Sequence, residues 1–126
     1  MPQDDPLTPE DVSILVVDDN RPLAEAFARA LASEYEVTTA YSVADARESL
    51  DPDVDVVLLD RRLPDGSGDE LLQEIRECSY ECRVAVVSGA ERSSELDCDV
   101  YVTKPLSGAD EVRETVSELL DEHVSA

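Results

Sequence analysis

Basic side chains are few in this sequence beside its acids. Ten arginines and lysines face 31 aspartates and glutamates, a net charge of −21 in 126 residues. A surface so acidic repels phosphates, which argues against direct nucleic-acid contact and against a membrane partner. No apolar stretch reaches the roughly 20 residues that a membrane helix needs, and no signal peptide is visible. Cysteine is scarce as well: Cys78, Cys82 and Cys98 make no even framework for a disulfide scaffold. Cys78 and Cys82 could share a helix end as metal ligands. Reduced, partly buried thiols are the simpler reading, and with them a cytoplasmic location. Lysine occurs once, at Lys104, every other basic residue being arginine.

What the chain does have is one domain's worth of apolar segments alternating with polar ones. Its length allows a real core, and 42% hydrophobic content is too high for disorder. Met1 to Asp11 holds three prolines and no apolar period. It reads as a loose acidic leader, residues 1–12, ahead of a domain spanning 13–124.

Apolar runs bounded by turn residues predict buried strands at Ser13–Val17, Val54–Asp60 and Arg83–Ser88. Glu36–Ala40 alternates weakly and suits a strand nearer the sheet edge, and Val100–Thr103 a short fifth strand. Between them lie helical patterns. The first has Leu23, Phe27, Ala30 and Leu31 on one face, with Asn20 as its cap. Ser42 with Asp45, Ser67 with Glu70 and Ser107 with Asp110 are capping signatures that open the other three. Strands alternating with helices imply a parallel sheet covered on both faces.

Asp18, Asp19, Asp60, Ser88 and Lys104 all fall at C-terminal ends of these strands. That edge is where open α/β sheets build ligand sites. Any one of them has a bland explanation: a helix cap, a dipole-friendly acid at a helix start, a surface lysine in a turn. Together they point to a site. Two unit charges about 4 Å apart repel by roughly 4 kcal/mol at an effective dielectric near 20, so three clustered carboxylates protonate or bind a cation. All-oxygen ligands favour a hard divalent ion, Mg2+ first. A retained single lysine, a compact point charge, suits a phosphate or carboxylate beside that ion.

VVDD at Val16–Asp19, LLDRRLPDGSG at Leu58–Gly68, VVSGA at Val86–Ala90 and VYVTKP at Val100–Pro105 resemble a response-regulator receiver domain. CRVAVVS and DRRLPDGSGDELL resemble in particular the haloarchaeal HalX-type receivers. The acid-rich, lysine-poor composition, which resembles that of proteins from salt-loving organisms, agrees.

The resemblance implies a doubly wound, flavodoxin-like α/β fold, a five-stranded parallel sheet ordered 2-1-3-4-5. Asp60 would be the phosphoacceptor. Mg2+ would be held by Asp19, Asp60 and the main-chain carbonyl of Arg62, with Asp18 acting through water. Lys104 and Ser88 would bind the phosphoryl group, Ser88 and Tyr101 would form the switch, and the Lys104–Pro105 peptide would be cis. Partners would be a sensor histidine kinase or phosphotransfer protein and a downstream partner or output domain of unknown kind.

Two other functions fit the same fold. A phosphorylation-independent pseudo-receiver would bind protein only, but the full set of acids, hydroxyl and lysine argues against it. A phosphatase using Asp60 as nucleophile would want a second acid two residues on, where Arg62 stands. The stretch Gly89–Cys98 has Leu96 as its only large apolar side chain. The helix that receivers usually place there is therefore expected to be shortened, and the dimer face it contributes to incomplete.

Overall fold

The structure is a computed structural model that describes residues 12–50, 53–77, 82–88, 98–103 and 109–124. In chain order it runs β1 (Ser13–Val17), α1 (Arg21–Leu31), β2 (Glu36–Ala40), α2 (Val43–Ser49), β3 (Val56–Leu59), β4 (Arg62–Leu63), β5 (Gly66–Ser67), α3 (Gly68–Glu77), β6 (Arg83–Ser88), β7 (Val100–Thr103) and α4 (Ala109–Val124). Five strands form one sheet in the order β2-β1-β3-β6-β7, every pair parallel. That is the expected 2-1-3-4-5 order, the short β4 and β5 having taken two numbers. Pro64, Gly66 and Gly68 punctuate the segment after β3 as a loop would be punctuated. The structure closes it into an antiparallel hairpin, Arg62 opposite Ser67 and Leu63 opposite Gly66.

Strand alternation sorts the core into two layers. Leu15, Val17, Val57, Leu59, Val84 and Val86 face α2 and α3, where Ala46, Leu71, Leu72 and Ile75 meet them. Ile14, Val16, Val56, Leu58, Ala85 and Val87 face α1 and α4, where Phe27, Leu31, Val112, Val116 and Leu119 close the other side. Central strands buried on both faces have to be continuously apolar, and VVLL is the clearest case. Val12, placed in the leader by its position before the first strand, belongs to the core: it is 2% exposed, and its carbonyl accepts from Glu36 N at 3.0 Å.

The helices start where the polar signals predict. Asn20 Oδ1 accepts from Leu23 N at 3.2 Å, and Ser42 Oγ from Asp45 N at 3.1 Å. Ser67 and Glu70 make a reciprocal capping box: Ser67 Oγ accepts from Asp69 N at 3.0 Å, and Glu70 Oε1 accepts from Ser67 N at 3.3 Å. Gly89–Asp97, Lys104, Pro105 and Ser107 lie outside the described residues, so the shortened helix, the cis peptide and the last cap are not placed.

Candidate functional site

The site follows from register. β1 and β3 pair with Val16 beside Leu58 and Val17 beside Leu59. Carrying that parallel register one residue past the strand ends sets Asp18 beside Asp60, on the same face of the sheet. Asp60 N donates to Val17 O at 2.9 Å, and Asp18 N to Ala40 O at 3.0 Å, so the ladder holds both residues at the edge. Asp18 is 2% exposed and Asp60 7%, whereas Asp19 is exposed. One carboxylate oxygen from each of Asp18, Asp19 and Asp60 lies within 4.8 Å of the others. Two buried acids and one exposed acid make a pocket whose open side is Asp19.

Backbone donors orient the buried pair. Asp18 Oδ1 accepts from Asn20 N at 2.9 Å, at the head of α1. Asp60 Oδ1 accepts from Arg62 N at 3.3 Å, on the first residue of β4. Gly68 packs against the backbone behind Asp60. A Cβ built there would lie 2.0 Å from the Asp60 carbonyl oxygen and 3.0 Å from Arg61 Cα. Gly68 N donates to Arg61 O at 2.8 Å, so α3 begins directly against the backbone of the acid-bearing loop.

Ser88 is buried at the end of β6, 1% exposed, and pairs with Thr103 across the sheet. Tyr101 is half-buried on β7 beside Val86, with its hydroxyl 3.5 Å from Arg61 Nη1. Arg62 is exposed on β4. Among the described residues no cysteine joins the acidic group. Cys82 is buried and Cys98 half-buried, both as thiols, and burial pushes the Cys82 thiol up, away from reactive thiolate. Cys78 is outside the described residues.

Three features had no local sequence signal strong enough to find them. The Arg61 guanidinium grips Asp69 at Nε–Oδ1 2.9 Å and Nη2–Oδ2 2.8 Å, which with the Tyr101 contact holds it charged well above the ordinary arginine range. Asp65, at the hairpin turn, accepts from Val43 N at 2.8 Å and Ala44 N at 3.0 Å. These two amides hold its carboxyl below the usual range. At the opposite edge of the sheet Asp99 takes Arg76 Nη2 at 3.1 Å and Val84 N at 2.8 Å.

The donor set at the pocket is wholly oxygen, anionic and partly water-accessible, which suits Mg2+ far better than a softer ion. Among the described residues it is the one group of acids, histidines and cysteines close enough to hold a metal, and no helix is long and apolar enough to cross a membrane.

The profile of the response regulator receiver domain matches residues 14–117. A Haloferax volcanii protein named "Putative transcriptional regulator" is 47% identical over 111 residues, 85% of this chain; the chain spans 19% of that relative's length. A CheY-like response regulator receiver domain protein from Methanospirillum hungatei superposes with a TM-score of 0.83 at 26% identity, covering 90% of this chain and 97% of that one. The response regulator TrrA from Thermotoga maritima, solved in complex with Mg(2+)-BeF, gives 0.75 at 32% identity, covering 86% and 98%.

Proposed function

The chain belongs to the response regulator receiver family, and from that premise we propose that Asp60 accepts a phosphoryl group from a sensor histidine kinase or phosphotransfer protein, altering a protein-binding surface. The observation that carries the proposal is the convergence of Asp18, Asp19 and Asp60 within 4.8 Å, with Asp60 itself buried at the end of the central strand.

Asp60 attacks the phosphorus of a phosphohistidine, or of a small acyl phosphate, in line with the leaving group. The P–O bond to Asp60 forms as the P–N or acyl P–O bond breaks. Asp19, Asp60 and the Arg62 carbonyl would hold Mg2+, with Asp18 assisting, and the ion would supply positive charge against the transferring oxygens. The protein's part is positioning and electrostatics. The Arg62 amide and the β3–β1 ladder keep the nucleophile oriented. Ser88, buried one strand over, donates its hydroxyl to the new phosphoryl oxygen, and Lys104 neutralises a second. Tyr101 follows Ser88, so the modification shifts an existing equilibrium between two surfaces. The chain acts as a signalling domain that assists its own phosphorylation and hydrolysis, in the cytoplasm.

Intact-mass measurement after incubation with acetyl phosphate and Mg2+ tests this. One phosphoryl group per chain is expected, lost when Mg2+ is withheld and absent from Asp60→Asn. Uptake by Asp60→Asn at the wild-type level would overturn the assignment.

A further inference from the structure

Arg61 sits one residue past the phosphoacceptor, and α3 holds it by both ends. Its carbonyl accepts from Gly68 N at 2.8 Å and Ser67 Oγ at 3.4 Å. Its guanidinium is forked onto Asp69, also in the first turn of α3, with the pair 20% and 36% exposed. A bidentate guanidinium–carboxylate fork is rigid and directional. The guanidinium's third nitrogen, Nη1, donates to the Tyr101 hydroxyl over a long 3.5 Å. Of these two contacts the Asp69 fork is the strong one and the Tyr101 contact the weak one. Tyr101 is half-buried against the α2–α3 side of the core and lies on β7, the edge strand next to the strand that carries Ser88.

We propose that Arg61 is a positioning residue for Tyr101: anchored by Asp69, it holds the tyrosine hydroxyl and couples the Asp60 strand end to the edge strand β7. The proposal rests on the reading of Asp60 as phosphoacceptor and Tyr101 as the residue that responds. The division of strength is what such a device needs. A weak Arg61–Tyr101 contact biases the ring without locking it, since a population shift requires a difference of only a few kcal/mol between states. The strong fork ensures that the tyrosine, not the arginine, is the moving part. Lysine could not substitute, because its ammonium cannot grip a carboxylate bidentately and present a third donor in a fixed plane.

The test uses the chain labelled with 13C at tyrosine Cζ in molar KCl, where Tyr35, Tyr41, Tyr80 and Tyr101 give four lines and Tyr101→Phe assigns one. Arg61→Ala, Arg61→Lys and Asp69→Asn should each move the Tyr101 line and leave the other three in place; Asp69→Asn breaks the fork from the far side should the arginine variants fold poorly. Arg61→Ala should also change the rate of phosphorylation by acetyl phosphate about threefold or more, and add nothing in the Tyr101→Phe background. An unmoved Tyr101 line in folded variants, or rate effects of Arg61→Ala and Tyr101→Phe that simply multiply, would overturn the proposal. A wild-type chain that takes no phosphate, yet whose Tyr101 line moves in Arg61→Ala, would sustain the clasp and refute the phosphoacceptor reading instead.

Discussion

Gly68 has no side chain at the one place where a methyl group would strike the carbonyl of Asp60. Replacing it by alanine sets two effects against each other. Alanine gains up to about 1 kcal/mol of helix propensity. Against that, a Cβ 2.0 Å from a main-chain oxygen cannot be relieved by swinging a side chain away. The backbone of Asp60 or the start of α3 has to move, and overpacking of this kind costs about 1–3 kcal/mol. Gly68→Ala is therefore expected to lower the urea midpoint and to slow phosphorylation by acetyl phosphate, because the displaced group is the nucleophile's own peptide. Unchanged kinetics in a destabilised variant would show that the helix yields and Asp60 does not.

Asp65 shows how one element is tied to another. α2 is only seven residues long, and isolated helices that short are marginal in water. Ser42 satisfies one amide of its first turn, and the Asp65 carboxylate, reaching across from the β4–β5 turn, satisfies two more. The hairpin is thereby stapled to the head of α2, while Arg47 and Glu74 join α2 to α3. Hydrogen bonds from Val43 and Ala44 favour the ionised carboxylate, so the folded pKa lies below the unfolded value near about 3.9. The stabilisation is then fully present above that unfolded value and is lost as pH falls through the folded one. Asp65→Asn should melt at a lower temperature than wild type at pH 6, and the gap should close below about pH 4. A gap that persists unchanged to pH 3 would mean the carboxylate's charge contributes nothing at this cap.

For the whole molecule the dominant force besides the core is self-repulsion. A net charge of −21 has few partners inside the chain, which has ten basic residues to set against 31 acids. Screening shortens the reach of that repulsion from about 10 Å at 0.1 M salt to about 3 Å at 1 M. The melting temperature is expected to climb steeply between 0.1 and 2 M KCl, as calorimetry would show. A flat curve would remove the link to salt-loving proteins and leave the fold assignment standing.

Period and punctuation determined the fold class. VVLL, bounded by turn residues, fits a strand with both faces covered, and three Ser-x-x-acid signatures announced helices; the two that fall on described residues, Ser42 and Ser67, are caps in the structure. The sequence also placed Asp18, Asp19 and Asp60 at strand ends, because a charge cannot continue a doubly buried run. Their shared place at the C-terminal edge pointed to one site, and the motif set then named it. Distances across a sheet are set by register, and register is a property of two strands at once: only Val17 beside Leu59 puts Asp18 beside Asp60. The same holds for what the sequence left unread. Arg61 and Asp69 are eight residues apart, Asp65 and Val43 are 22, and Arg61 and Tyr101 are 40. No single helix or strand spans any of these pairs, so no periodicity links their members. Each pair joins a residue between elements to one on a helix or strand, and these come together only once the sheet is assembled.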